Sequence, residues 1–375
     1  MKGPRTIFAL ALSLYGFASV ALAGTFIDLG TLGGNESGAR AINNAGDIVG
    51  SSRNATDTQE DHPFLYSNGV MTDLGLRGTA YGINSAGQIS GITDNSAFLY
   101  SGGSVTNPGS LGGSHSEAAG INSAGQIAGS SFGTGNNFEH AVVYSAGGGI
   151  TDLGALEGGD TCQAIGINNA GQVVGYSYTI TNSNTRGTVS IAGFLYTPGI
   201  GMTNIGSLGG GYTVAEAIND AGQIVGLSAP SGGLPLNSSS FQHAFLYSGG
   251  IMIDLGTFGG LNSTAMGINA VGQIVGTAQT ANGEDHAFLY EGGVMTDLNS
   301  LLPRGSGWQL SVANGINDLG QIVGTGTNAR GFQRAFLLDT RADCTSVPQG
   351  CRPAGAGRRE IVEPVPEDEA APSER

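Results

Sequence analysis

The chain has 375 residues, 67 of them Gly, with 39% hydrophobic residues and a formal net charge of −15. Residues 24–340 hold 22 acidic residues against seven Arg and no Lys. Such a surface repels phosphate backbones and argues against nucleic acid as a partner; it leaves divalent cations, basic ligands or simple solubility as meanings of the acidity.

The first 23 residues read as a secretory signal peptide. Lys2 and Arg5 give the positive start, Ile7 to Val20 an uncharged, mostly apolar stretch, and Ala21-Leu22-Ala23 a small-residue cleavage site. A membrane anchor is the weaker alternative, because the apolar run is short and no second span follows. The expected location is therefore secreted, periplasmic or at the cell surface.

A short apolar segment, Thr25 to Gly30, stands ahead of a phrase that then returns seven times: Gly-Ile-Asn-x-x-Gly-Gln-Ile-Val-Gly. Its copies begin at Ala41, Gly82, Gly120, Gly166, Ala217, Gly267 and Gly315, with spacings of 41, 38, 46, 51, 50 and 48 residues between the key Asn positions. Periods in the forties point to blades or helical pairs. Each period divides into four short apolar pieces bounded by turn residues. These are the segment before the Asn (Ala39 to Ile42), the Gln-Ile-Val-Gly run (Gln223 to Gly226), His-Ala-Phe-Leu-Tyr (His243 to Tyr247, His286 to Tyr290), and Met-Thr-Asp-Leu-Gly (Met71 to Gly75; Met295 to Leu298 without its Gly). Runs of about five residues with this β-branched and aromatic content are strands. The Asn-x-x-Gly link predicts a hairpin turn, in which Asn bonds its own backbone and Gly takes a left-handed conformation.

Thr25 to Gly30 matches a fourth piece standing alone, and Arg334 to Leu338 is a third piece with no fourth after it. The predicted architecture is thus all-β: a seven-bladed β-propeller of four-stranded blades over residues 24–340, closed by the N-terminal strand pairing with the last blade. Strands this short are too short for a membrane barrel. The connections at Ser51–Asp61, Ser130–Glu139, Tyr176–Ile191 and Leu227–Gln242 vary and belong to one face, where recognition usually sits.

Residues 341–375 change composition toward Pro, Ala, Arg and Glu and read as a disordered tail. Its Cys344 and Cys351 either close a small disulfide loop or stay free. Cys162 is expected to be a buried or unreactive thiol, since no base lies near it in sequence.

The His-Ala-Phe cores, with Leu29 to Gly34 and the repeated phrase, resemble the HAF repeats of bacterial extracellular proteins. The likeness runs from about Thr25 to Leu338, with departures at His62 (His-Pro-Phe), Ser96, His140 (His-Ala-Val), Ala192 and Arg334. It implies an exported repeat protein and brings no reaction with it.

Chemistry on this scaffold is sparse. His62, His140, His243 and His286 occupy equivalent places in different units, too far apart to share a metal, and read as strand-end residues bonding neighbouring backbone. Gly129 to Gly133 fits Gly-x-Ser-x-Gly but lacks the strand–turn–helix context of a nucleophile elbow. Glu60-Asp61 and Glu284-Asp285 precede a His and resemble carboxylate–imidazole couples, though solvated loop charge is the default. No cofactor or metal is expected.

One position varies where its neighbours stay small. It lies two residues before the Ile of the phrase and holds Arg40, Tyr81, Ala119, Ile165, Glu216, Met266 and Asn314. Such side chains either ring the channel mouth or pack between blades. The candidate binding residues are Arg40, Tyr81, Glu117, Glu216, Trp308 and Asn314, with Trp308 alternatively closing the seam between the ends. The reading is a monomeric binding or surface-interaction module for a glycan or other extracellular polymer; the rivals are a hydrolase or lyase using acidic residues and a structural matrix component.

Overall fold

The structure, a computed structural model, describes residues 25–57, 59–157, 159–181, 188–231 and 241–341. The expected signal peptide, the tail with Cys344 and Cys351, and parts of the connections after Tyr176 and Leu227 lie outside these residues. All regular elements described are strands, apart from two short 3-10 turns at Thr134–Asn136 and Leu298–Leu301. Among them no helix is long and apolar enough to cross a membrane.

Strands pair antiparallel in fours. Gly33–Ile42, Ile48–Asn54, His62–Ser67 and Val70–Asp73 form one such sheet in chain order, and the segments from Thr79 to Thr106 and from Gly259 to Asp297 repeat it. Between Gly112 and Gly256 three further fours run together as a twelve-stranded sheet, joined only by the single parallel pairs Glu139–Thr161 and Ile191–Tyr212. The remaining sheet draws on both ends of the chain. Gln309–Ile316, Gln321–Thr327 and Gln333–Asp339 are followed at the edge by Thr25–Asp28, with Phe26 opposite Leu338 and Ile27 opposite Leu337. The fold is all-β and β-propeller-like.

The core lies between successive sheets. The third-strand aromatics Phe64, Phe98, Phe194, Phe245, Phe288 and Phe336 are fully buried, as are the second-strand Ile48, Ile89, Ile127, Ile224, Ile274 and Ile322. One cluster joins Val323, Ala335 and Leu337 from the end of the chain to Leu29, Ile48 and Phe64 from its start. Ile27 is 36% exposed, so of the first strand only Phe26 and the following Leu29 pack inward.

In every unit but the second, where Thr79–Ile83 has five residues, the first strand is longer than its sequence pattern predicts, reaching ten residues at Gly33–Ile42 and Gly259–Ile268. The polar Gly-Gly segment upstream reads as a turn yet pairs with the second strand, Gly33 lying opposite Asn54. The Gly ending Gln-Ile-Val-Gly has a steric reason. A Cβ at Gly50 would lie 2.0 Å from the Gly38 carbonyl oxygen, and one at Gly226 2.0 Å from that of Val214.

Candidate functional site

The register between first and second strands slips once in each unit just ahead of the turn: between Ala39 and Ala41, Ala80 and Gly82, Ala118 and Gly120, Ala164 and Gly166, Ala215 and Ala217, Ala265 and Gly267, and Ala313 and Gly315. The residue passed over is each time the variable one. A β-bulge leaves its extra residue out of the ladder and re-aims the side chain. All seven bulge residues line a single cavity of about 620 Å³.

Arg40, Tyr81, Glu117, Glu216 and Asn314 are thus brought together, with Gln163 and Tyr176 added from a neighbouring hairpin. Asn314 also ties the last unit to the first, its Nδ2 donating to the Ala39 carbonyl at 2.7 Å. Trp308 is not at this cavity. It stands edge-on to Phe26 at 5.0 Å between ring centroids, packed on the cluster around Phe336 and Leu310. A large apolar ring gains more from that burial than from exposure, so Trp308 is corrected from a candidate ligand contact to a seam residue.

The opposite end of the bundle of first strands is lined by the repeated Ile and Asn residues. Each Asn accepts backbone N–H through Oδ1 within its turn, as Asn168 does from Ala170 and Gln172. Its Nδ2 does something the turn reading did not contain: it donates to the carbonyl of the next unit's Asn. Asn43 donates to Asn84, Asn84 to Asn122, Asn122 to Asn168, Asn168 to Asn219, Asn219 to Asn269, Asn269 to Asn317, and Asn317 back to Asn43, at 3.0–3.2 Å. The other Nδ2 hydrogen goes to the Gln four residues on, or to Asp47 in the first unit.

Glu117 and Glu216 line the cavity, and so do Ser130 and Gln163, through which Glu139 is held behind it, accepting from Ser130 Oγ at 2.8 Å and Gln163 Nε2 at 3.0 Å. Tyr176 donates to Gln163 Oε1 at 2.5 Å. Desolvation raises the Glu117 carboxyl above its usual range, offset in part by His115 and reinforced by Glu139. Burial pushes Glu216 up to about 7 from 4.5. Tyr81 and Tyr176 are likewise raised by burial, then by neighbouring acidic and phenolic groups.

The Glu216 shift carries a stability prediction. A carboxyl with a raised native pKa favours the protonated folded state, so its charge destabilises the fold increasingly as pH rises from 4.5 to 7. Glu216→Gln should match the parent at pH 4 and exceed it at pH 8 by up to about 3 kcal/mol, read by urea unfolding at both values. Equal stability at pH 8 would show that the carboxylate is well solvated.

The histidines correct a second expectation. Three of them bond not backbone but an Asp of the fourth strand: His140 Nδ1 lies 2.9 Å from Asp152, His243 Nδ1 2.7 Å from Asp254 and His286 Nδ1 2.7 Å from Asp297. His62 Nδ1 faces Asp73 at 3.4 Å without a hydrogen bond, and its Nε2 pairs with Asn54 Nδ2 at 3.1 Å. The loop acids preceding them are not the close partners, Glu284 lying 3.9 Å from His286. Ser131, the central Ser of Gly129–Gly133, is fully buried in a strand and bonds backbone. Cys162 is buried, its thiol pushed up to about 12 by desolvation. Among the described residues no three His, Cys, Asp or Glu side chains could hold one metal ion.

A family model described as "Protein of unknown function (DUF3466)" matches residues 157–341. No curated protein matches the sequence. Among solved structures the chain is similar to TolB from Acinetobacter baumannii at 14% identity and a TM-score of 0.42, covering 79% of this chain and 64% of that one. It is also similar to a puromycin-hydrolyzing peptidase of Mycobacterium tuberculosis (11%, TM-score 0.48, 78% and 50%) and to the acylaminoacyl peptidase of Pyrococcus horikoshii (10%, TM-score 0.43, 81% and 45%). The chain therefore spans less than two thirds of each.

Proposed function

We propose that this chain is an exported, HAF-type seven-bladed β-propeller, closed by its N-terminal strand, that binds an extracellular polymer, foremost a glycan, at the channel mouth. The observation that carries the reading is the set of seven unlike side chains presented from seven equivalent bulges. A folding requirement repeats one residue type, as the turn Asn does. Diversity at one aimed position, with Ala and Gly beside it, serves an asymmetric ligand. The Thr25–Asp28 pairing and the return bond from Asn317 to Asn43 support closure. The Lys2-to-Ala23 pattern supports export. Arg40, Asn314 and the glutamates supply donors and acceptors for hydroxyl groups, and Tyr81 an aromatic face.

One observation favours a hydrolase or lyase as a second reading: a carboxyl titrating near neutrality, as Glu216 does, is suited to general acid work. A polysaccharide array probed with mature protein tests both. Binding weakened at least tenfold by Tyr81→Ala or Glu117→Ala, with no new reducing ends, is expected. New reducing ends lost in Glu216→Gln would replace the binding reading with the enzymatic one. Binding that ignores the cavity variants and follows changes at the Asn face would remove both.

A further inference from the structure

The mouth opens sideways. A second cavity of about 470 Å³ shares Arg40, Met266 and Asn314 with the first, so the two are continuous. Its walls belong to the first and last units. On the first unit, Arg40 and Ser51 come from the first and second strands and Asp61 from just ahead of the third; on the last unit, Asn314, Thr325 and Gln333 come from the first, second and third. Neighbouring strands lie about 4.8 Å apart, so this order carries the cleft about 10 Å outward from the mouth, the length of a disaccharide. The cleft has a packed floor. A Cβ at Gly315 would lie 3.2 Å from the Arg40 carbonyl oxygen, and one at Gly38 2.9 Å from Thr325 Oγ1. The ends of the variable connection Ser51–Asp61 thus line a cavity that adjoins the mouth.

We propose that this cleft is a second subsite, in which an uncharged, hydroxyl-rich chain continues outward from the mouth over Arg40 and Asn314. This rests on the reading of the mouth as a glycan site and names the chemistry and the course of its ligand. The charges of the cleft offset one another: Arg40 and Arg53 stand against Glu36 and Asp61 in its lining, and Arg53 Nη1 is held by Glu36 Oε2 at 3.0 Å. A charged ligand would gain from one pair and lose to the other, and a polyanion is also repelled by the net charge of −15. A hydroxyl both donates and accepts, which matches guanidinium, carboxylate, amide and hydroxyl groups on facing walls. Arg40, at the junction, is free to serve it: the arginine ion pairs among the described residues are those of Arg53, Arg77 and Arg341. At the outer end Gln333 is exposed on the last unit's wall. Met266 and Val312 add apolar surface for the carbon faces of sugar rings.

The test is calorimetric titration of the mature protein with cellobiose, cellohexaose, the dimer and hexamer of N-acetylglucosamine, and the hexamer of galacturonic acid, repeated on Gln333→Ala and Tyr81→Ala. The expected result is a neutral hexamer binding at least tenfold more tightly than its dimer. Gln333→Ala should cut that advantage about fivefold, the worth of one hydrogen bond, and leave dimer binding unchanged. Tyr81→Ala should weaken dimer and hexamer alike. Equal binding of dimer and hexamer, still weakened by Tyr81→Ala, overturns the cleft and leaves the reading of the mouth standing. A length advantage untouched by Gln333→Ala overturns the cleft too, since the added units then lie elsewhere. Tighter binding of the galacturonate hexamer than of either neutral one overturns the uncharged class. Binding of no hexamer overturns both the cleft and the glycan reading. Because the Gln333 side chain is exposed, an unchanged melting temperature confirms that Gln333→Ala is folded.

Discussion

A protein lacking residues 25–30 should lose about 3–6 kcal/mol of stability and self-associate. The deletion removes Phe26, which packs on Trp308 and Phe336, and Leu29, which is 5% exposed. Full burial of such side chains contributes about 1.5–3 kcal/mol each. It also uncovers the edge of Gln333–Asp339, whose backbone groups pair with Thr25–Asp28 and whose Ala335 carbonyl accepts from Leu29 N–H. An exposed apolar edge recruits other chains. Urea unfolding with sedimentation velocity checks both effects; an unchanged midpoint in a monomeric species would rule out the proposed closure.

The second large effect is expected at the Asn ring. Asn168 is 3% exposed and its side chain makes four hydrogen bonds, accepting from Ala170 and Gln172 N–H and donating to Gln172 Oε1 and the Asn219 carbonyl. Asn168→Ala leaves those groups without partners in a buried place, a loss of roughly 4 kcal/mol at about 1 kcal/mol per bond. Ser85→Ala, at the exposed position after Asn84 in another turn, should change stability by less than about 0.5 kcal/mol. Comparable midpoints for the two variants would mean that the ring contributes little.

Much of this architecture is legible in the sequence because short strands with one buried face impose a fixed phrase on every unit. The turn Asn and Gly, the third-strand Phe and the orphan segment Thr25 to Gly30 all announce themselves by repetition. Three features escaped. The bulges are silent because Arg40 or Glu216 in an Ala-x-Ala frame reads as ordinary alternation, and only the partner's Gly, forced by the close approach at Gly50 and Gly226, betrays the extra residue. The Asn ring is hidden because its acceptors are backbone carbonyls some forty to fifty residues away, which no local pattern encodes.

The fourth-strand partner of the histidines was readable and was missed. Where the third strand carries His62, His140, His243 or His286, the fourth carries Asp73, Asp152, Asp254 or Asp297; where it carries Ser96 or Ala192, the fourth carries Asn107 or Asn204. Asn204 lies opposite Phe194 as Asp73 lies opposite Phe64. Charge therefore tracks charge within each hairpin, as cross-strand pairing requires. At the cavity, Glu117 and Glu216 were legible as candidates by position, whereas Glu139 was not: it sits on a third strand and reaches the wall only through Ser130 and Gln163.

The distance between positions 40 and 314 tests the central claim most directly, because convergence of the bulges and closure of the ring both require these distant residues to be neighbours. Spin labels placed by Arg40→Cys and Asn314→Cys, with Cys344 and Cys351 replaced by Ser and the buried Cys162 left in place, report it by pulsed dipolar spectroscopy. Packed sheets lie about 10 Å apart, so with label length the account predicts one narrow distribution below roughly 20 Å. A broad distribution centred beyond about 30 Å would contradict it.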